Sequence, residues 1–422
     1  MVKAESRSVL VVGAGISGIS SALELANAGF DVHLLEKDAV VGGHAASFPC
    51  KATTICAECS ACVVSDKIRE AMQHPRIRFL TGAVMRGLSG GPGDFRVEIV
   101  REPRYVDAER CIACGLCNEV CPTDPKAIYL PQPDAVPLVH VIDDRFCLRA
   151  EGKKCELCQE VCPTEAIGFN RKRQEEDLNV GAIVVATGFR VFDAREKGSL
   201  GYGRYRNVLT GLDLEHTFRR QGKLRLPGGD KEPGSIAFIQ CVGSRDEGHV
   251  YCSHVCCKYA MKLAALIRHQ SPDTKVTIFY IDLQTAGKGF ARFFQQYKEG
   301  IRFVRGVPVE ILQTASGELE VKFEDISRGK VSRDTFDLVV LSVGMSPRTD
   351  SWDLARILGI DMADDGFFDT ATSVGSNDTG VGGIFLAGTC QGPKDIADSV
   401  AHGIGAASRV MDLLGMPVQA DG

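Results

Sequence analysis

The apolar positions of the chain fall into short hydrophobic runs separated by glycine-bearing turns and by helices with one apolar face. Val9 to Val12 is the first such run, and its length and glycine boundary predict a buried parallel strand. Gly13-Ala14-Gly15-Ile16-Ser17-Gly18 follows, then an amphipathic helix, then a second strand, Val32 to Leu35, ending at Glu36. The order strand, G-x-G-x-x-G, helix, strand, acid predicts a dinucleotide site. Gly13 permits the tight turn, Gly15 lets backbone approach a pyrophosphate, and Gly18 lets helix pack on strand. The amides at Ile16 and Ser17 open the helix toward the phosphates. Glu36, 18 residues after Gly18, stands where a carboxylate accepts ribose hydroxyls, with Lys37 beside it.

Further runs repeat the theme. Phe95 to Val100 alternates as a half-buried strand, and an apolar strand leads into Ala186-Thr187-Gly188. Ile236 to Ile239 and a run beginning at Val276 predict the strands of a second unit. Near the end a strand, a turn at Gly388 and Thr389, and a helix of small residues carrying Asp398 and Ser399 complete the pattern.

The candidate chemistry lies in the cysteines. Cys111, Cys114, Cys117 and Cys121 form C-x2-C-x2-C-x3-C-P, and Cys147, Cys155, Cys158 and Cys162 repeat it with a longer first gap. In such paired runs three cysteines reach one cube and the fourth ligates the other cluster. The expected ligand sets are therefore Cys111, Cys114, Cys117 and Cys162 for one [4Fe–4S] centre, and Cys147, Cys155, Cys158 and Cys121 for the second. Zinc ribbons want two separated C-x2-C knuckles and give the proline no role, so the run fits them poorly. Two more groups stand outside the repeat: Cys50, Cys56, Cys59 and Cys62, and Cys241, Cys252, Cys256 and Cys257. Each could hold a further centre, or both could share one; a Cys256–Cys257 dithiol or small buried hydrophobes are the alternatives.

Composition narrows the setting. A chain of 422 residues has room for two or three domains. The net charge of −5, without basic clustering, gives no sign of a nucleic-acid partner. No apolar run approaches the ~18 residues of a membrane span, and the N-terminus lacks a signal-peptide layout. Seventeen cysteines in a chain of this kind suggest metal or redox chemistry in a reducing compartment. The expected location is cytoplasmic, with membrane association only through partner proteins.

Gly42, Gly43 and His44 after the acid, Ala186-Thr187-Gly188, and the Gly388 turn together resemble the FAD domain of thioredoxin reductase-like flavoproteins. The resemblance implies an α/β, Rossmann-type, two-dinucleotide-binding fold with FAD as cofactor. Where most of that family place an Asp after the last glycine, Thr389 and Cys390 stand here. His44 and His402 lie near these motifs, and either could hydrogen-bond the ring. In that plan the strand at Phe95 and the strand before Ala186 adjoin, so the two-cluster module reads as an insertion. The expected division is 1–103, 174–230 and 346–422 for the FAD domain, 104–173 for the ferredoxin-like module, and 231–345 for a nicotinamide-type domain. In the last, Cys241, Gly243 and Arg245 replace the second glycine fingerprint, which predicts no direct NAD(P)H binding.

Taken with C-S-A-C at Cys59 to Cys62, F-I-Q-C-V-G-S-R-D, Y-C-S-H-V-C-C, G-K-G-F and A-G-T-C-Q-G-P-K-D-I-A-D-S-V, these motifs resemble the A subunit of heterodisulfide reductase. The size is closer to short relatives, such as the A subunit of the quinone-interacting membrane-bound oxidoreductase complex. The resemblance implies that Cys59 and Cys62, with cysteines of the 241–257 group, ligate a cluster near the flavin. It further implies an oxidoreductase component that relays or bifurcates electrons among partners: B- and C-type subunits, or hydrogenase- or quinone-linked ones. A self-contained NAD(P)H-dependent flavin or disulfide reductase, or a subunit of a membrane quinone-interacting oxidoreductase complex, is the alternative.

Overall fold

The computed structural model describes residues 7–131, 135–170, 172–284, 288–371 and 376–416. The first apolar run forms the centre of a five-stranded parallel sheet. Its order is Ile384–Leu386, Ala182–Val185, Ser8–Val12, Asp31–Glu36, Ile77–Thr81. Alternate residues of these strands serve two cores. Val9, Val11 and Val184 pack under the helices Ile16–Asn27, Ala61–Gln73 and Ile396–Leu414. Leu10, Val12, Ile183 and Val185 pack beneath a three-stranded antiparallel sheet and the helix Ser351–Leu358. Burial on both faces is why these strands are continuously apolar.

The antiparallel layer consists of Ala83–Gly91, Asp94–Arg101 and Gln174–Val180. Arg101 pairs with Gln174, so the chain between them leaves and re-enters the sheet at one point. That intervening chain has little regular structure. Two four-residue helices, Leu116–Glu119 and Leu157–Glu160, and a two-residue ladder surround a core of Val106, Ile128, Val139, Ile167 and three buried cysteines. A core this small is marginal without a metal to staple it.

The second unit is a seven-stranded sheet. Its order is Val208–Thr210, Leu338–Val343, Ser235–Val242, Lys275–Tyr280, Ile301–Gln313, Leu319–Asp325, Lys330–Phe336. The first five are parallel and the last two turn back as antiparallel strands. The helices Gly211–Gln221 and Cys256–Gln270 pack with Phe293 and Phe294 of the helix Phe290–Tyr297 on one face of it. Among the described residues no helix is long and apolar enough to cross a membrane.

Candidate functional site

The strand Ser8–Val12 delivers the chain into a turn that only glycine fits. Gly13 has φ of +108°, and a Cβ there would lie 2.3 Å from the Ala186 carbonyl oxygen. A Cβ on Gly18 would lie 1.9 Å from the Gly13 carbonyl oxygen. Gly15 differs: a Cβ there would meet nothing within 4 Å, because the residue faces open space. Among the described residues no side chain caps the helix that begins at Ile16, which leaves its first turn facing a cavity of about 950 Å³. Gly13, Gly15, Ile16, Ser17, Gly42, Gly43 and His44 line that cavity. Gly42 N donates to Ala14 O at 2.8 Å, which closes the second glycine pair onto the first turn.

At one end the Glu36 carboxylate accepts from Ala14 N at 2.8 Å and from Asp38 N at 2.9 Å. Burial nonetheless holds its pKa above the ordinary value, so further donors are favourable there. Lys37 pairs with Asp350 at 2.6 Å, and Arg348 donates to the same carboxylate at 2.9 and 3.0 Å. At the turn after the strand Ala182–Val185, Ala186, Thr187 and Gly188 line the cavity, and Thr187 Oγ1 is buried with no hydrogen-bond partner among the described residues. An open glycine, an uncapped helix start and an orphaned hydroxyl fit a bound dinucleotide.

The remaining expected contacts divide. Thr389 and Ser399 line the cavity. Gly388 does not; it packs on the first helix, where a Cβ would lie 1.9 Å from Ser17 Oγ. Gly18 likewise acts through helix packing. Asp398 is exposed and off the cavity wall, its amide donating to the Asp395 carboxylate that caps the last helix. His402 Nδ1 accepts from Gly388 N at 2.8 Å, so it supports the turn from behind. His44 does face the cavity. Its Nε2 meets the Phe189 carbonyl oxygen at 3.2 Å, an acceptor that fixes the proton on Nε2, and burial lowers its pKa. Cys390, where an Asp is usual, is buried and donates its thiol to Val185 O at 3.1 Å.

In the inserted module Cys121, Cys147, Cys155 and Cys158 line one small cavity. Burial, followed by Cys147, Cys155 and Cys121, pushes the Cys158 thiol up to about 11. Burial, followed by Cys111 and Cys114, pushes Cys117 up to about 12. Thiols this close resist ionising together, and a bound cationic centre removes that resistance. The fourth cysteine of each run is different. Burial opposes ionisation of Cys121 and Cys162, but hydroxyl and amide donors, Thr123 for one and Ala166 and Thr164 for the other, bring both below the ordinary value. Among the described residues no three His, Cys, Asp or Glu side chains converge as they would on a single ion. A cube carries its irons at separate corners and spreads its thiolates.

The module docks at the acid end of the dinucleotide cradle. Val41 N donates to Val136 O at 2.9 Å, Arg104 donates to Thr81 Oγ1 at 3.0 Å and to Ala39 O, and Pro131 reaches the cavity wall. The module therefore sits beside the loop that follows Glu36, at that end of the cavity.

The far end is closed by the second unit. Cys241, with φ of +61°, is the penultimate residue of the strand Ser235–Val242, and Cys256 and Cys257 open the helix Cys256–Gln270, both buried. Burial first, then Cys257 and Cys252, pushes Cys241 up to about 11, so these cysteines lie together. A hydrogen bond from the Cys256 thiol lowers the Cys257 thiol below its ordinary value. Of the other group, Cys56 and Cys59 line the large cavity, whereas Cys50 and Cys62 do not and are exposed. The turn after the strand Ser235–Val242 is closely packed by protein. A Cβ on Gly243 would lie 2.2 Å from the Phe192 ring, and Ser244 and Ser253 hydroxyls meet at 2.6 Å across it.

Sequence motifs gave no sign of one pair on this wall. Lys51 Nζ and Glu215 Oε1 lie 2.8 Å apart with side chains 4% and 7% exposed, tying the loop after Cys50 to the helix Gly211–Gln221. Lys51→Met strands a buried carboxylate and is expected to destabilise by about 3–5 kcal/mol near pH 8. Burial raises the folded-state pKa of Glu215. The folded variant therefore takes up a proton before the unfolded chain does, and stability returns as pH falls toward the unfolded value of about 4.3. Chemical denaturation of the variant across that pH range checks the sign.

A two-Rossmann flavoprotein architecture with an inserted cysteine module is the class that fold and site define. Residues 11–58 match the NAD(P)-binding Rossmann-like domain family and residues 104–125 the 4Fe-4S binding domain family. In fold the chain is similar to the thioredoxin reductase of T. acidophilum (TM-score 0.53, 16% identity, 96% of this chain and 98% of that one). It is also similar to the HOCl-induced flavoprotein disulfide reductase of Escherichia coli (TM-score 0.51, 13% identity, 98% and 72%). The A subunit of the H(2):CoB-CoM heterodisulfide,ferredoxin reductase of Methanothermobacter thermautotrophicus is 41% identical over 420 residues, 95% of this chain and 63% of that protein. An iron-sulfur A subunit of the CoB–CoM heterodisulfide reductase of Methanopyrus kandleri is 43% identical over 430 residues, 96% and 64%. Over nearly its whole length the chain is similar to heterodisulfide reductase A subunits. It spans less than two thirds of the length of these relatives.

Proposed function

We propose that this chain is the FAD and iron–sulfur electron-transfer component of a heterodisulfide reductase-like oxidoreductase complex. The observation that carries the reading is one continuous cavity. Its wall runs from Gly15 and Glu36 to Cys59, and on to Val255 and Lys258, which flank the Cys256–Cys257 pair. A dinucleotide held there lies between the module at its adenylate end and two cysteine groups at the other.

Gly13, Gly15, Gly42 and Gly43 would hold the pyrophosphate, Glu36 the ribose, and Thr187, Gly188, Thr389 and His44 the remainder. Flavin, when bound, interconverts two-electron and one-electron chemistry. The chain's own part is to fix that group, exclude water and place thiolate ligands within electron-transfer reach of it. Cys111, Cys114, Cys117 and Cys162 would hold one [4Fe–4S] centre, and Cys121, Cys147, Cys155 and Cys158 a second. Cys241, Cys252, Cys256 and Cys257 would hold a third, with Cys59 and Cys62 near it. Electrons would come from and go to partners of the B and C type, or to hydrogenase- or quinone-linked ones. A potentiometric titration followed by visible absorbance and electron paramagnetic resonance tests this. Flavin and clusters are expected to reduce and reoxidise reversibly in one chain; a flavin that takes no electrons would leave only a redox-inert scaffold.

A further inference from the structure

The cavity is polarised. Around Glu36 its wall carries Asp38, Asp350 and Asp353 against Lys37, Arg86 and Arg348. The rest of the wall carries seven cations, Lys51, Arg219, Arg220, Lys258, Lys262, Arg292 and Lys394, against three carboxylates, Glu58, Glu215 and Asp395. Two of those carboxylates are engaged: Glu215 with Lys51 at 2.8 Å, and Asp395 with Lys258 at 3.7 Å. In a chain of net charge −5, such a local excess focuses a positive potential into the cavity.

Lys262, Arg220 and Arg292 are in no ion pair among the described residues. Lys262 is 8% exposed, yet its ammonium donates to the Glu58 backbone carbonyl at 3.1 Å and lies 5.5 Å from the Phe293 ring centre, with no carboxylate partner among the described residues. A buried ammonium without an anion is costly. Arg220 and Arg292 are exposed and make no ion pair among the described residues. They come from the helices Gly211–Gln221 and Phe290–Tyr297, and Lys262 from Cys256–Gln270, so three separate elements each bring a cation to the wall of this part of the cavity. Phe293, Tyr259 and Tyr297 supply apolar wall between them.

We infer that this lobe binds a small organic anion with at least two acidic groups and an apolar body. Arg220 and Arg292 meet it at the mouth, and Lys262 meets it at depth. The inference rests on the flavin reading above, since it places the anion beside the far half of the bound dinucleotide. Several cations on three helices are more than one small inorganic anion can reach, and the aromatic wall favours an organic body. A competing role for these cations is to offset the thiolates of a centre at Cys56 and Cys59, which line the same lobe.

The test uses the flavin- and cluster-replete chain and 1,3-benzenedisulfonate as probe, titrated at constant ionic strength by calorimetry and by the flavin absorbance spectrum. Saturable binding is expected, weakened at least about tenfold in R220Q/R292Q and unchanged in R69Q, an arginine on the exposed face of the helix Ala61–Gln73. Absent binding, or equal binding by the double variant, overturns the inference. So does a double variant that loses iron while binding the probe as well as before, which assigns the cations to the thiolates. Flavin and iron are assayed first. A chain that holds no flavin refutes the function proposed above, whereas a flavin-loaded chain that ignores the probe refutes the anion site alone.

Discussion

Gly18→Ala is expected to yield protein without flavin. The new Cβ would lie 1.9 Å from the Gly13 carbonyl oxygen, a backbone atom at the turn and therefore unable to move aside as a side chain could. The first helix must withdraw from the sheet, taking with it the amides that face the phosphates. Overpacking of this kind costs about 1–3 kcal/mol where side chains can yield, and more is expected against backbone. Gly15→Ala is the informative comparison, because its Cβ meets no protein atom. That variant is expected to keep wild-type stability and lose flavin, since the methyl group occupies the space the pyrophosphate needs. Flavin-to-protein ratios and denaturation midpoints for the two variants separate a packing glycine from a contact glycine. Equal flavin content in Gly15→Ala and the wild type would contradict the cradle.

Cys121→Ser is expected to remove the cluster held by Cys147, Cys155 and Cys158, though Cys121 belongs in sequence to the other run. The loss should be about four irons per chain. Ligand sharing gives the prediction its sign in double variants. C121S/C158S should lose no more iron than C121S, because both act on one centre. C121S/C117S should lose about four irons more. The reverse pattern would mean that each run closes its own cluster. The common cavity of Cys121 with Cys147, Cys155 and Cys158 favours the crossed arrangement, and the amide and hydroxyl donors at Cys121 and Cys162 suit both fourth cysteines to the thiolate form.

The unit at the N-terminus was legible because every signal agreed: the run at Val9, the three glycines, the helix and Glu36 all serve one geometry. Contacts that depend on where an element sits in space were less so. Asp398 follows the Gly388 turn closely in sequence, yet it faces solvent, because Asp395 caps the helix and turns the next carboxylate outward. His402 reads as a ring contact from its neighbourhood, but lies behind the turn and holds Gly388 N. Lys51 with Glu215, and Lys262 with its carbonyl, join segments distant in the chain and carry no local pattern. The placement of the module beside the loop after Glu36 was equally hidden. A cysteine run specifies its cluster and says nothing about the loop, here Ala39 to Val41, on which it rests.

Electrons are expected to reach this chain through partner proteins and not from a nicotinamide. The turn at Gly243, filled by Phe192, Ser244 and Ser253, is the structural reason. Anaerobic mixing of the flavin- and cluster-replete chain with NADH, and separately with NADPH, tests it most directly, with flavin bleaching as the readout. No bleaching by either nucleotide is expected, while dithionite bleaches flavin and clusters in the same preparation. Rapid bleaching by NADH or NADPH would contradict it and make the chain a self-contained reductase.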